Sequence, residues 1–329
     1  MDKTRLGANG PEVSVLGLGC MGMSDGHGPT DERDSIATIR AALDAGITFF
    51  NTGDFYGSGH NELLLREALA GRRSEAVISV KFGALRDPAG RWIGFDFRPQ
   101  AIRNFLTYSL RRLKTDYVDI YQPSRLDPTV PIEDTIGAIA DLVRAGYVRH
   151  VGISEMPLEA VERAHKVHPI TALEVEYSYL ERAIEARTLP RLRELGIGLV
   201  PYGVFTHGLL SGRVQSRDDV TKPGDMRGHM PQFSTENLPN NLKVVAAFGQ
   251  VARERGLTPA QLAVAWVLNR GADLVPVLGA RNPASVADLV IGANVKLSAA
   301  EWAELERLAP HTDVRGDRYP PEQMRMVHR

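Results

Sequence analysis

Short apolar runs alternate with longer amphipathic stretches along most of the chain. Each run holds four to six residues and is rich in β-branched and aromatic side chains, as are strands buried on both faces of a parallel sheet. The eight runs are Val15–Leu18, Ile47–Phe50, Ala76–Val80, Tyr117–Tyr121, Val148–Ile153, Ala172–Val175, Ile197–Val200 and Leu274–Leu278. Eight parallel βα units close a barrel, so the pattern predicts an α/β fold of the (β/α)8 TIM-barrel class.

The amphipathic stretches carry helix end signals. Gly46, Gly146 and Gly196 each stand just before an apolar run, where the residue after a helix needs positive φ. The segments Thr258–Gln261 and Ser298–Glu301 read as capping boxes and predict two helix starts. These ends support helices between the predicted strands.

Two segments fall outside the repeating units. Lys3–Leu6 and Val13–Leu16 flank Asn9-Gly10 and predict an N-terminal β-hairpin. The stretch between Tyr202 and Asn240 is rich in Gly and Pro and has no clear period. It follows the seventh predicted strand at the end where barrel active sites lie, so we expect a long loop that covers a cofactor or substrate. We expect residues 1–329 to form one barrel domain.

Composition excludes several classes of partner. The net charge of −1 provides no field that would attract nucleic acid or an anionic membrane. No run approaches 18 apolar residues, and the polar N-terminus has no apolar signal segment, so we expect a cytoplasmic protein that does not span a membrane. Cys20 is the single cysteine, which excludes an internal disulfide, and we interpret it as a small buried residue.

Two other interpretations of the sequence stay open, a dinucleotide-binding turn and a glycosidase site. Gly17–Gly22 matches the spacing of a dinucleotide-binding GxGxxG turn, but a loop-like segment follows it where that motif needs an apolar helix. Glu174 and Glu176 near the sixth run could act as the paired carboxylates of a glycosidase. The histidines form neither HxH nor HExxH, so the sequence shows no metal site.

Polar residues follow the second and third predicted strands. Asn51, Asp54 and Tyr56 lie just beyond Phe50, and Lys81 ends the third apolar run, so all four belong to the catalytic rim of a barrel. A lysine beside a tyrosine favours the phenolate and lowers the phenol pKa, which makes a usable general acid. The alternative from the residues alone is a surface Tyr and a surface Lys on adjacent loops.

These residues belong to a set of ordered blocks that resembles the aldo-keto reductase family. The resemblance covers essentially residues 4–310. It is greatest to the pyridoxal-reductase-like bacterial and fungal branch, and the Arg318-Tyr319-Pro320 segment near the end of the chain is part of that likeness. The blocks are Phe50–Glu62, Val80-Lys81, Asp116–Pro128, Val151–Glu155, Glu174–Ser178, Tyr202–Gly212 and Gly279–Arg281. The resemblance implies an NADP-dependent oxidoreductase that reduces an aldehyde or ketone by hydride transfer.

The family's catalytic residues carry over with two departures. The resemblance implies that Tyr56 donates the proton and that Lys81 lowers its pKa. Asn51 stands where the family has aspartate and brings no charge to Lys81, and Ser124 stands where it has histidine. Asp54 is a candidate for the missing carboxylate, and His60 or His207 for the missing imidazole.

The resemblance also implies the cofactor and substrate contacts. Tyr202 would stack on the nicotinamide, and Arg281 with Ser285 would clamp the 2′-phosphate of NADPH or NADP⁺. Phe55 and Trp92 are candidate walls of the pocket for a small-molecule carbonyl substrate. The cofactor residues implied are Gly19, Met21, Ser154, Glu155, Glu174, Tyr202, Gly203, Val204, Phe205, Gly208, Leu209, Arg213, Gly279, Arg281, Ser285 and Asp288. Because the catalytic set is altered, an NADP-binding regulatory subunit with vestigial activity is the alternative function.

Overall fold

The computed structural model describes residues 1–24, 30–222, 225–324 and 327, and its elements are numbered in chain order. The strands are β1 Lys3–Arg5, β2 Glu12–Ser14, β3 Gly17–Gly19, β4 Phe49–Gly53, β5 Val77–Phe82, β6 Ala84–Arg86, β7 Trp92–Phe95, β8 Val118–Pro123, β9 Val148–Ser154, β10 Ile170–Glu176, β11 Gly198–Tyr202 and β12 Val277–Gly279. The α-helices are α1 Glu32–Asp44, α2 His60–Ala68, α3 Pro99–Leu113, α4 Ile132–Arg144, α5 Leu158–Val167, α6 Thr188–Leu195, α7 Leu238–Glu254, α8 Pro259–Leu268, α9 Pro283–Asn294, α10 Ala299–Leu308 and α11 Pro321–Met324.

Eight parallel strands form the predicted barrel. Their order is β11-β10-β9-β8-β5-β4-β3-β12, and each of the eight predicted apolar runs contributes one strand. A parallel bridge between Leu199 and Leu274 joins β11 to the segment just before β12 and brings the two ends of the sheet together. Every residue of β10 is buried, because one face of the strand meets the barrel interior and the other meets the helices. The barrel prediction is confirmed.

The N-terminal hairpin closes one end of the barrel. Strands β1 and β2 pair antiparallel with Thr4 opposite Val13, which confirms the predicted hairpin. Leu6 and Val13 pack in one buried cluster with side chains from the barrel strands, among them Phe49 and Val200. The amino ends of the barrel strands are therefore covered, and the site must lie at their carboxyl ends.

The predicted helix ends are also confirmed. Gly46, Gly146 and Gly196 have φ of +83°, +86° and +68°. Both capping boxes form, at Thr258 with Gln261 and at Ser298 with Glu301. These ends depend on contacts within one turn of helix, which is why the sequence predicts them.

The long loop expected after the seventh strand connects β11 to α7 and contains short local turns. Its described residues include four short 3₁₀ turns, at Thr206–Gly208, Arg217–Val220, Met226–His229 and Pro231–Phe233. Arg227 holds the segment together, since it pairs with Asp225 at 2.6 Å and donates to the His207 carbonyl at 3.0 Å. Across the described part of the chain, no helix is both long and apolar enough to cross a membrane.

Candidate active site

Tyr56 and Lys81 come together at the carboxyl ends of β4 and β5. The two strands are neighbours in register, with Gly53 opposite Lys81, and the Asp54 amide donates to the Lys81 carbonyl at 2.9 Å. The Lys81 Nζ lies 5.4 Å from the centroid of the Tyr56 ring. Tyr56 is 7% exposed and Lys81 is 5% exposed. The alternative of an unrelated surface pair is therefore wrong.

Lys81 has a carboxylate partner, Glu174, for which the resemblance implied a different role, contact with the cofactor. Its Nζ donates to Asn51 Oδ1 at 2.5 Å and to Glu174 Oε1 and Oε2 at 2.9 and 3.2 Å. Glu174 lies on β10, across the barrel interior, and is as buried as Lys81. The expectation that Lys81 lacks a charged partner is wrong, because Glu174 supplies the charge that Asn51 does not.

The Glu174 carboxylate is fully engaged by side chains of the barrel interior. Besides Lys81, it accepts from Asn51 Nδ2 at 2.7 Å and from Gln122 Nε2 at 2.5 Å. Four strands thus hold one buried ion pair, and its polar atoms are satisfied as burial requires. The contact of Glu174 with a nicotinamide carboxamide stays a prediction.

Burial and charge together set the protonation states at this pair. Burial raises the pKa of Tyr56, and Lys81 opposes that rise. Burial alone would lower the pKa of Lys81, but Glu174 and Tyr56 raise it above its ordinary value. At neutral pH the site therefore presents a protonated phenol beside a charged ammonium.

The candidates for the missing carboxylate and imidazole lie apart from this pair. Asp54 is buried, and burial together with Glu62 raises the pKa of its carboxyl well above the usual range, whereas the carboxylate bonded to Lys81 is Glu174. His60 Nδ1 lies 2.9 Å from Ser24 Oγ. His207 Nε2 lies 3.7 Å from Glu176 Oε1. Asp54 as the substitute carboxylate is wrong, and both histidines have other partners.

Ser124 directly follows β8, at the position where the family has histidine. Its amide donates to the Phe82 carbonyl at 3.1 Å, which ties it to the strand that carries Lys81. The residue is 2% exposed, and its Oγ has no hydrogen-bond partner among the described residues. The side chain therefore lies at the predicted position, with an uncommitted hydroxyl.

A second buried cluster lies at the ends of β9, β10 and β11. Arg318 Nη1 and Nη2 donate to the two Glu155 oxygens at 2.9 and 3.1 Å, and Nη1 lies 3.4 Å from Glu176 Oε2. Tyr202 donates its hydroxyl to Glu155 Oε1 at 2.7 Å, and Tyr319 Oη lies 3.1 Å from that hydroxyl. The C-terminal segment thus forms part of the barrel mouth.

The two carboxyl groups of this cluster have opposite protonation states. Burial alone would raise the pKa of Glu155, but Arg318 holds it at about 2. Burial raises the pKa of Glu176 to about 8, although Arg318 opposes the rise. At neutral pH Glu155 is an anion and Glu176 is a neutral acid. Glu174 contacts Lys81, whereas Glu176 contacts Arg318. The two carboxyl groups thus belong to separate structural clusters and do not form the catalytic pair of a glycosidase.

The other implied cofactor residues lie along one rim of the barrel. Ser154 is opposite Glu174 in the β9–β10 register, and Gly279, Gly19 and Asn51 are neighbours across β12, β3 and β4. The remaining ones are in the turn after β3 (Met21), in the segment after β11 (Gly203, Val204, Phe205, Gly208, Leu209, Arg213), and before or on α9 (Arg281, Ser285, Asp288). Their contacts with a cofactor stay predictions.

The implied substrate residues differ in placement. Phe55 packs edge-on against Tyr56, with 4.9 Å between ring centroids. Trp92 lies on β7, packs against Phe95 and is 49% exposed. Both roles stay predictions, and only Phe55 contacts the proposed proton donor.

Gln122 and the carboxylate partners of Arg318 were not predicted from the sequence. The available signal was the pair of acidic residues Glu174 and Glu176, within and directly after an apolar run, since buried carboxylates need partners. The sequence could not identify those partners, because Lys81 and Arg318 are far away along the chain.

Comparison with known proteins agrees with this geometry. The model of the aldo/keto reductase family matches residues 15–310. A probable aldo-keto reductase from Glycine max is 38% identical over 317 residues, which is 96% of this chain and 91% of that protein.

Solved structures give the same result. A glycerol dehydrogenase from Gluconobacter oxydans superposes with a TM-score of 0.85 at 28% identity, covering 96% of this chain and 98% of that one. The holo form of an aldo-keto reductase from Bacillus halodurans superposes with a TM-score of 0.77 at 27% identity, covering 94% and 97%. The protein belongs to the aldo/keto reductase family and is an oxidoreductase of the (β/α)8-barrel fold.

Proposed function

We propose that this protein reduces an aldehyde or ketone to the alcohol, with NADPH as hydride donor and Tyr56 as proton donor. The observation that carries the proposal is the buried Tyr56–Lys81 pair, in which the ammonium lies 5.4 Å from the phenol ring centroid. A protonated phenol donates to the carbonyl oxygen, and the adjacent ammonium stabilises the phenolate that is left behind.

Glu174 and Asn51 position Lys81 for this role. Their oxygens accept three hydrogen bonds from Nζ, which holds the ammonium on one side of the phenol ring. The carboxylate keeps Lys81 charged in a buried site. Lys81 therefore acts as a fixed positive charge and not as a base.

The donor set at the rim fits a dinucleotide phosphate. Arg281 precedes Asn282, the residue that caps the positive, amino-terminal end of α9. A guanidinium beside a helix N-terminus suits a phosphate group. Arg281 and Ser285 would hold the 2′-phosphate, and Tyr202 would lie against the nicotinamide. When bound, the dihydronicotinamide supplies the hydride to the carbonyl carbon.

The test is NADPH consumption with a panel of aldehydes, α-diketones and ring ketones. We expect turnover in the wild type and its loss in Tyr56→Phe, with NADPH affinity nearly unchanged, because the phenol acts on the developing alkoxide. General acid catalysis contributes at least ~100-fold, so kcat should fall by that factor or more. A Tyr56→Phe variant that keeps more than about a tenth of the wild-type kcat would contradict this assignment.

Ser124 stands where the family has histidine, and its hydroxyl has no hydrogen-bond partner among the described residues, which favours one alternative: a regulatory subunit that binds NADP and has vestigial chemistry. The same panel separates the two functions. NADPH binding without consumption of any carbonyl would support the regulatory subunit.

A further inference from the structure

Arg125 lies at the edge of the proposed site without a role in the mechanism. It follows Ser124 directly after β8, and the Ser124 amide is bonded to the end of β5, one residue beyond Lys81. The Arg125 side chain is half-buried and donates from Nη1 to the Ser124 carbonyl at 2.6 Å. The guanidinium is therefore held near the barrel mouth by a neutral backbone acceptor.

The other cations of the mouth are neutralised. Lys81 pairs with Glu174, and Arg318 pairs with Glu155. Arg125 forms no ion pair with a carboxylate in residues 1–24, 30–222, 225–324 and 327. A guanidinium has five N–H donors, so most of those of Arg125 have no protein acceptor in this part of the chain.

At neutral pH the charged side chains of the barrel mouth named here carry one positive charge in excess. The cations are Lys81, Arg125 and Arg318, and the ionised carboxylates are Glu155 and Glu174. Glu176 is a neutral acid, because burial raises its pKa to about 8. Arg125 interacts electrostatically with Glu155 and with Tyr56, but Glu155 carries a single negative charge and is already paired with Arg318.

A second uncommitted donor belongs to the preceding residue, Ser124. Ser124 is 2% exposed, and its Oγ has no hydrogen-bond partner among the described residues. A hydroxyl and a guanidinium on adjacent residues are the donors that carboxylate and phosphate oxygens accept from.

We infer that Arg125, together with the Ser124 hydroxyl, binds an anionic group of the substrate, a carboxylate or a phosphate, beside the carbonyl group that Tyr56 protonates. The inference rests on the proposed reduction and names its substrate class, acidic aldehydes and ketones. A substrate that brings one negative charge neutralises the excess charge of the mouth, whereas a neutral substrate leaves it uncompensated.

The test compares kcat/KM for matched substrate pairs, one for each anion. The pairs are 4-carboxybenzaldehyde with its methyl ester, and glyceraldehyde 3-phosphate with glyceraldehyde. We expect the wild type to prefer the anionic member of at least one pair by roughly 10-fold or more, the usual effect of a charge-assisted contact. The pair that shows the preference distinguishes carboxylate from phosphate.

Variants assign the preference to Arg125. Arg125→Gln should bring the anionic-to-neutral ratio close to one, and Arg125→Lys should retain part of it. The control is Arg111→Gln, which removes an exposed positive charge from α3 and should leave the ratio unchanged. A wild-type ratio near one, or a ratio that Arg125→Gln leaves in place, would overturn the inference.

A binding experiment separates this inference from the proposed function. Calorimetric titration of the NADP⁺-loaded protein with benzoate and with benzamide measures anion selectivity without turnover. Selectivity for benzoate that is lost in Arg125→Gln, with no substrate reduced, would leave the anion site standing and reject only the reduction. Turnover without selectivity in either assay would reject only the anion site.

Discussion

Lys81 and Glu174 form the pair on which the chemistry of Tyr56 depends. The two residues are 93 positions apart in the chain, yet both are buried in the barrel interior and joined by two short contacts. The carboxylate acts on both neighbours, since it raises the pKa of Lys81 and opposes the effect of Lys81 on Tyr56. The charge of Glu174 therefore affects the pKa of the proposed general acid, Tyr56, although its hydrogen bonds go to Lys81, Asn51 and Gln122.

Glu174→Gln should move the alkaline limb of the kcat/KM profile for reduction to lower pH. The active form has a protonated Tyr56 and a charged Lys81, and loss of the carboxylate lowers the pKa of both groups. A pH–rate series with one good substrate measures the shift. A positioning residue that only fills space would leave the limb unmoved.

The double variant Asn51→Asp/Glu174→Gln is the matched control. It returns a carboxylate to Lys81 from the Asn51 side, where Oδ1 already accepts from Nζ. The alkaline limb should move back toward that of the wild type. An alkaline limb that stays at the position of the single variant would show that the charge acts only from β10.

At the scale of elements, strand ends and helix starts place the functional groups. Tyr56 follows β4, Lys81 lies on β5, and Arg281 precedes α9, so each proposed role depends on where an element begins or ends. Among these strand ends and helix starts, the turn after β5 leaves the least room for a side chain. Gly83 there has φ of +101°, and a Cβ would lie 2.0 Å from Phe97 Cε1.

Gly83→Ala should destabilise the protein by roughly 2–4 kcal/mol, because it combines left-handed backbone strain with overpacking of a buried aromatic ring. Urea unfolding measures the loss. Gly146→Ala is the control, since Gly146 has φ of +86° but nothing within 4 Å of the added Cβ. Its cost should be about 1 kcal/mol, from the backbone alone. Equal costs would show that the Phe97 contact has no effect.

Arg281→Ala should reduce the preference for NADPH over NADH. A charge-assisted contact with the 2′-phosphate contributes roughly 1.5–3 kcal/mol, which is about 10- to 150-fold in the ratio of dissociation constants. Fluorescence titration with both cofactors measures the ratio. Arg213→Ala is the comparison, and a ratio that changes there but not in Arg281→Ala would place the phosphate at Arg213.

At the scale of the whole molecule, the C-terminal segment and the barrel are joined by buried charges. Arg318 reaches Glu155 and Glu176 from 163 and 142 positions away. Glu176 contacts Arg318 and His207, and its side chain is fully buried. Its protonation therefore links the stability of the fold to pH.

The free energy of unfolding should fall with rising pH more steeply in the wild type than in Glu176→Gln. The folded-state pKa of Glu176, about 8, lies above the ordinary value of 4.5. Its contribution is thus complete below about pH 4.5 and is lost as pH rises through 8, at about 1.4 kcal/mol per pH unit. Glutamine mimics the neutral acid and has no such titration.

Urea unfolding of both proteins at about pH 6 and pH 8 measures this difference within the titration range. Glu155 does not interfere, because its pKa of about 2 confines its own loss of stability to acidic solution. Parallel pH dependences of the two proteins would show that Glu176 is already ionised at neutral pH.

The barrel and the position of its catalytic rim could be predicted from the order of residues along the chain. Apolar runs, capping boxes such as Thr258–Gln261 and glycines such as Gly46 act within a few residues, so local physics predicts them. Tyr56 and Lys81 could be placed together because the ends of neighbouring parallel strands meet at one edge.

Tertiary structure alone decided which charges meet. Asn51 looked like the loss of a carboxylate, and only barrel closure brings Glu174 from the opposite wall to replace it. Arg318 meets Glu155 only because the C-terminal segment folds over the mouth. The physical reason is that the free energy of an ion pair depends on distance and burial, and neither is encoded in the spacing of the two residues along the chain.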